Sequence, residues 1–232
     1  MQLPLRLLAS TLLIFIGVNL KGQGSLSIEY KMELLQTSVD LDEIEGLEKM
    51  DQVKVMMESA RYRVMFKGDK ARIEIKSLII SIIMITDYTV GKSLILTRAL
   101  ADKSAQLIEG EAYDSLTTMS QATNDKVVLG KATKKIAGYD CKDAKIIKAD
   151  GSETTVWYCP KLQGKNSPLN RFQSPLIAGL ILQMDSDFNG IKVRFKADEV
   201  SKDEIDDKYL GFGIPKGYDL KKPDLSQLQN GL

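Results

Sequence analysis

Two cysteines, Cys141 and Cys159, are the only thiols in the chain, and they flank one turn signal, Asp150-Gly151. The chemistry open to such a pair is disulfide formation. In a hairpin with the three-residue loop Ala149-Asp150-Gly151, Gly151 takes the positive φ of a G1 bulge and Lys148 pairs with Ser152. Counting outward from that pair places Cys141 opposite Cys159. Directly opposed residues have Cβ atoms about 4.5–5.5 Å apart, and a disulfide needs about 3.5–4.5 Å. A small adjustment would close the bridge. A two-residue loop would instead set Cys159 against Lys142 and send the two sulfurs to different faces. The spacing therefore predicts a Cys141–Cys159 disulfide; the alternative is two free, buried thiols.

The chain contains no histidine. Ser-His-Asp and Cys-His catalysis are thereby excluded, as are the ordinary histidine-containing zinc sites. No catalytic residue, metal or cofactor is expected. Asp185-Ser-Asp187-Phe-Asn189-Gly190 matches the first half of an EF-hand loop. Its twelfth position is Lys196, which would repel a cation. Its flanks alternate like strands, with Ile191, Val193 and Phe195 against Lys192, Arg194 and Lys196. The reading is an Asn-Gly hairpin turn.

Asp203, Glu204, Asp206 and Asp207 could form a cation site or an acid–base pair. Acidic residues in the first turns of a helix are more simply explained by the helix dipole. Asp42, Glu43, Glu45 and Glu48 read as the solvated face of an early helix. Gly130-Lys131 and Gly138 lack the spacing and the Lys-Ser/Thr ending of a phosphate loop. Trp157 and Tyr158 must point to opposite faces of their strand. One is expected in the core, and the other either packs by the cysteines or lines a pocket.

The elements that position these residues are mostly strands. Leu26, Ile28, Tyr30, Met32 and Leu34 alternate with polar residues, as in a half-buried strand. Leu41, Ile44, Leu47 and Met50 recur at threes and predict a short amphipathic helix over 41–57, weakened by Gly46. Tyr62 to Phe66 and Ile73 to Ile75 form a hairpin around Lys67-Gly68-Asp69-Lys70. Leu78 to Ile85 is the most apolar run after the N-terminus and predicts a strand covered on both faces. Asp87 to Gly91 turns the chain into the strand Ser93–Thr97. Arg98 to Tyr113 is ambiguous between a helix and a strand pair. Ser115 to Asp125 reads as a loop. Lys126–Leu129 and Ala132–Ile136 read as two strands leading to the cysteine hairpin. Lys161 to Pro175 reads as a long loop. Leu180–Met184 and Ile191–Ala197 form a last hairpin, and Ser201-Lys-Asp-Glu204 reads as a capping box that opens a short helix.

Arg6 precedes the apolar run Leu7 to Leu20, and small Gly22 follows. This pattern predicts a secretory signal peptide over residues 1–22; the run is short for a membrane span, which needs about 20 apolar residues. An uncleaved N-terminal anchor is the alternative. Residues 23–220 are then one β-rich domain, and 221–232 a loose C-terminal tail. With 32 basic and 31 acidic residues, the formal charge is +1. That balance gives no basic face for nucleic acid. The expected setting is the periplasm or the cell exterior, where a disulfide persists.

Several segments together resemble the secreted bacterial family known as domain of unknown function 4412. They are Ser-Ile-Glu-Tyr-Lys after the signal peptide, Phe66-Lys-Gly-Asp-Lys-Ala-Arg-Ile73, Lys135-Ile-Ala-Gly-Tyr-Asp-Cys-Lys142, Thr155-Val-Trp-Tyr158, Ala197-Asp-Glu-Val200 and Ile214-Pro-Lys-Gly-Tyr218. A weaker similarity, on the Arg-Ile-Glu strand and the apolar strand ending at Asp87, is to the LolA-like envelope carriers. That resemblance implies a curved, half-open antiparallel sheet with a few short helices against its concave face, enclosing an apolar cavity for lipid or acyl chains. Ile80, Ile82, Met84 and Trp157 are the candidate lining. Three functions follow: a non-enzymatic envelope protein binding an apolar ligand, an envelope scaffold making protein–protein contacts, and a hydrolase built on paired carboxylates.

Overall fold

Apolar residues at every second position leave a strand one face to bury, and here the buried faces join into one sheet. The computed structural model describes residues 24–37, 58–114, 126–149, 151–162, 177–188 and 191–223. Twelve strands run through them: β1 (Leu26–Thr37), β2 (Arg61–Lys67), β3 (Lys70–Lys76), β4 (Ile80–Asp87), β5 (Lys92–Ala99), β6 (Asp102–Glu109), β7 (Lys126–Ile136), β8 (Tyr139–Ile147), β9 (Glu153–Cys159), β10 (Leu180–Phe188), β11 (Ile191–Ser201) and β12 (Asp219–Lys221). Their order across the sheet is β12-β6-β5-β4-β3-β2-β1-β11-β10-β9-β8-β7. Pairing is antiparallel except between β12 and β6. The ends β12 and β7 do not pair with each other, so the sheet is open. The protein is thus mainly β, on one unclosed antiparallel sheet with very little helix, as its sequence predicts.

The sheet is curved. Lys134 on β7 donates to Gln183 Oε1 on β10 at 2.8 Å, although three strand spacings span about 14 Å on a flat sheet. Tyr30 on β1 likewise donates across β11 to the Ile181 carbonyl of β10 at 2.8 Å.

Register assigns the two faces. Tyr62, Val64 and Phe66 oppose Ile75, Ile73 and Ala71, which oppose Ile82, Met84 and Thr86. With Ile28, Tyr30, Met32, Val193, Phe195 and Ala197 they form the inner face, in a single buried cluster that reaches both halves of the sheet. Tyr62 and Phe195 meet edge to face, with ring centroids 5.2 Å apart. On the outer face of β4–β6 lie Ile83, Leu94, Leu96, Ala105 and Leu107. The C-terminal chain covers them with Phe212 and Tyr218, while Ile205 and Leu210 close over Met65. This is why β4 is apolar on both sides.

Several sequence expectations are corrected. The apolar strand begins at Ile80, and Leu78 and Ile79 stand exposed in the preceding turn. The segment 98–113 resolves into the end of β5, β6 and one helical turn at 111–114. Lys126–Ile136 is one strand with a register shift between Leu129 and Thr133, not two strands. That shift is a bulge held by Asp143, whose Oδ1 accepts from Ala132 N at 2.8 Å. Ser201 is no helix cap: it ends β11, and its hydroxyl bonds Asp203. The short 3-10 helix starts later, at Asp207–Leu210, capped by Asp206, which accepts from Lys208 N. A capping box needs its hydroxyl on the third helical N–H, and Ser201 is still in the β ladder with Ser27. The tail expected from 221 overlaps β12, whose residues 219–221 pair with β6. The signal peptide, the helix over 41–57, the loop 115–125, most of 161–175 and the Asn189-Gly190 turn lie outside the described residues. Phe188 nevertheless pairs with Ile191, the register of a two-residue hairpin loop.

Candidate functional site

Ile80, Ile82 and Met84 point to the inner face of β4 and are buried in the main cluster. Trp157 does not join them. It lies on β9, six ladder steps away, half-buried at the margin of that cluster. Lys134 Nζ sits over its ring, 3.9 Å from the centroid. Tyr158, its neighbour, is buried in the core, so the opposite-face reading of the pair stands. Burial, with Arg194 and Lys196 nearby, pulls the Lys134 ammonium below its ordinary range.

The cysteine hairpin has the expected register. Lys148 and Ser152 are bonded around the turn, with Gly151 at φ 85°. Lys142 pairs with Tyr158 at the far end of the β8–β9 ladder, which brings Cys141 level with Cys159. The expected bridge, however, is not present: both residues are free, buried thiols. Cys141 Sγ is turned to the Tyr139 carbonyl, at 3.5 Å. Burial, together with Cys159 close by, pushes the Cys141 thiol up to about 11. Gly179 packs so closely on this corner that a Cβ there would lie 2.3 Å from the Cys159 carbonyl oxygen.

The EF-like acid has another employment. Asp185 accepts from Arg194 Nε at 2.8 Å and Nη2 at 2.7 Å, and from Gln183 Nε2 at 3.0 Å. Burial works against its charge, but these donors outweigh it and hold the carboxyl below the usual carboxylate range. A fork-to-fork pair with arginine leaves this aspartate poorly placed as a cation ligand.

The described surface carries a cleft of which the sequence singled out only the acidic lining, Asp203, Glu204 and Asp206. It holds about 330 Å³ on the outer face, between β1, β2, β11 and the C-terminal chain. Glu29, Arg63, Glu199, Asp203, Asp206 and Tyr209 are among its lining residues. Glu29 and Glu199 are direct register partners, and Arg63 pairs with Glu29. Asp207, from the same acidic stretch, pairs with Lys67 at 2.8 Å. Glu74 next door is held by Arg72 and Lys76, each at 2.6 Å. Burial opposes the Glu74 charge, but the two cations keep its carboxyl below the ordinary range. The cleft could be found in the sequence only by knowing that β1 runs between β2 and β11. The glutamates are some 170 residues apart along the chain.

These features define a mainly β protein with an apolar inner face and a charged outer cleft. No family model matches the chain, and no curated protein does. Solved structures do show likeness. The structure of PNGF-II is 16% identical, with a TM-score of 0.47 over 90% of this chain and 32% of its own. MucB is 10% identical, with a TM-score of 0.36 over 89% of this chain and 62% of its own. A β-barrel-like protein of domain of unknown function 1849 from Brucella abortus is 8% identical. Its TM-score is 0.38, over 81% of this chain and all of its own. The chain therefore spans about a third of the length of the PNGF-II chain it matches.

Proposed function

We propose that this chain is an exported, non-enzymatic binding protein of the cell envelope whose curved sheet holds an apolar ligand, a lipid or acyl chain, against its inner face. The observation that carries this reading is the extent of that face. It runs without a polar break from Ile82 and Met84 on β4, through Ile73, Val64, Ile28 and Phe195, to Val156 and Ala144 on β9 and β8. These side chains pack against one another across the curved sheet, and an apolar ligand would extend that packing. Burial of apolar surface, about 25 cal/mol per Å², would supply the binding energy. The family resemblance of the Gly-Tyr-x-Cys segment agrees with an exported setting. Lipid extraction of protein purified from its native envelope, followed by mass spectrometry, tests the reading. A co-purifying acyl lipid is expected. Lipid-free protein that also ignores fluorescent fatty acids would refute it.

A second reading, an envelope scaffold that contacts other proteins, is favoured by the direct contacts across the inner face. Tyr62 meets Phe195, and Tyr30 meets the β10 backbone. Contacts of that kind fill space a ligand would need. Pull-down from envelope fractions, with lipid-free protein as bait, separates the two.

A further inference from the structure

One end of the sheet is built in a way that folding does not require. The turn between β3 and β4 presents Leu78, 82% exposed, and Ile79, 42% exposed. The turn between β5 and β6 presents Leu100, 70% exposed. The two turns are one unit, because Leu100 N donates to the Ile79 carbonyl at 3.0 Å. Ser77 N donates to the Ile80 carbonyl at 2.8 Å, which stiffens the first turn.

Leu100 is unfavourable twice over. It exposes a large apolar side chain, and its φ of 53° lies in the left-handed region, which asparagine or glycine occupies at far lower cost. An outlier of this kind is a reason to look for function.

Directly behind this apolar tip runs a row of cations. Arg61 opposes Lys76, Lys76 opposes Ser81, Ser81 opposes Arg98, and Arg98 opposes Lys103. Opposed residues share a face, so Arg61, Lys76, Arg98 and Lys103 line one side of the sheet end, with strands about 4.8 Å apart. Lys76 is paired with Glu74. Arg61, Arg98 and Lys103 are exposed and make no ion pair with another described residue. The acids near the tip are Asp102, beside Lys103, Glu58, three residues before Arg61, and Asp219, which pairs with Ser104.

Apolar side chains projecting past a line of unpaired cations match the two layers of an anionic bilayer: acyl chains beyond, phosphates at the collar. We propose that this end of the sheet is a membrane-docking tip, in which Leu78, Ile79 and Leu100 enter the acyl boundary of an anionic lipid surface while Arg61, Arg98 and Lys103 hold its phosphates. An acidic protein would be drawn to the same cations but would have no use for three isolated aliphatic residues on tight turns.

The test is co-sedimentation with vesicles of phosphatidylglycerol and phosphatidylethanolamine, against vesicles of phosphatidylcholine, with the same N-terminus on every variant. The wild-type chain should sediment with the anionic vesicles and leave them as salt rises. Arg98→Gln and Lys103→Gln should each weaken binding about fivefold, the value of one juxtamembrane cation. Leu78→Ser should weaken it about tenfold or more, the loss of one buried leucine. Leu100→Gly relieves the backbone and should raise the melting temperature while lowering vesicle affinity, a split that mere misfolding cannot produce. Equal binding to neutral vesicles would overturn the proposal, as would binding unchanged in these variants. So would capture of acidic proteins, but not vesicles, through Arg98 and Lys103.

Discussion

Single residues at the cysteine corner give the sharpest tests. Gly179 adopts a φ of 138°, and an added Cβ would strike the Cys159 backbone carbonyl, which cannot move without dragging β9. Gly179→Ala should therefore cost about 2 kcal/mol or more in urea unfolding. Gly130 offers a contrast. A Cβ there meets the end of the Asp143 side chain, which can swing away, so Gly130→Ala should cost only about 1 kcal/mol, the bond to Ala132 N. The Cys141 thiol, raised by burial to about 11, should resist alkylation in the folded protein. Its unfolded value is about 8.5, so the unfolded chain loses this proton first. Its effect on stability is nil at neutral pH, and stability falls as pH rises from about 8.5 toward 11. The urea midpoints of wild type and Cys141→Ala, offset at neutral pH by the lost packing of a buried side chain, should change their separation only in that range. Asp185 runs the other way. Its lowered carboxyl contributes stability above the unfolded value of about 3.9, and that stability is lost as pH falls below it. Arg194→Met should remove about 1 kcal/mol at pH 7, modest because both side chains are partly exposed.

At the scale of elements, the C-terminal chain is the part whose role was hardest to foresee. Leu78 to Ile85 announces a strand covered on two sides, but nothing in its sequence says by what. The cover comes from about 120 residues later, as Phe212 and Tyr218 over Leu94 and Leu96. A chain ending after Gly211 should lose that cover and the β12 pairing with β6. It should unfold at lower urea and bind more of an apolar dye than the full chain does; an unchanged midpoint would contradict the packing. Local pattern was enough for the hairpins. Tyr62 to Ile75, the Gly151 bulge and the two-residue register at Phe188 and Ile191 all follow from alternation and turn chemistry. Long-range placement was not legible. The Glu29–Glu199 neighbourhood depends on β1 inserting between β2 and β11, a pairing that no periodicity encodes. The capping box at Ser201 failed because the β11 ladder claimed that residue first.

At the scale of the whole molecule, one open sheet carries three surfaces with different chemistry: an apolar inner face, a charged outer cleft and an apolar tip with a basic collar. The first is the basis of the proposed function. Ile80, Ile82 and Met84 belong to it, whereas Trp157 sits apart under Lys134. Met84→Asp, placing a charge on that face, should therefore abolish ligand retention and destabilise the fold together, while Trp157→Ala should leave retention nearly intact. Native mass spectrometry of the protein, purified without detergent from cells that make it, is the most direct test. A population heavier than the bare chain by the mass of an acyl lipid, released on denaturation, is expected. A single species at the mass of the bare chain, unshifted after incubation with fatty acids or phospholipids, would contradict it.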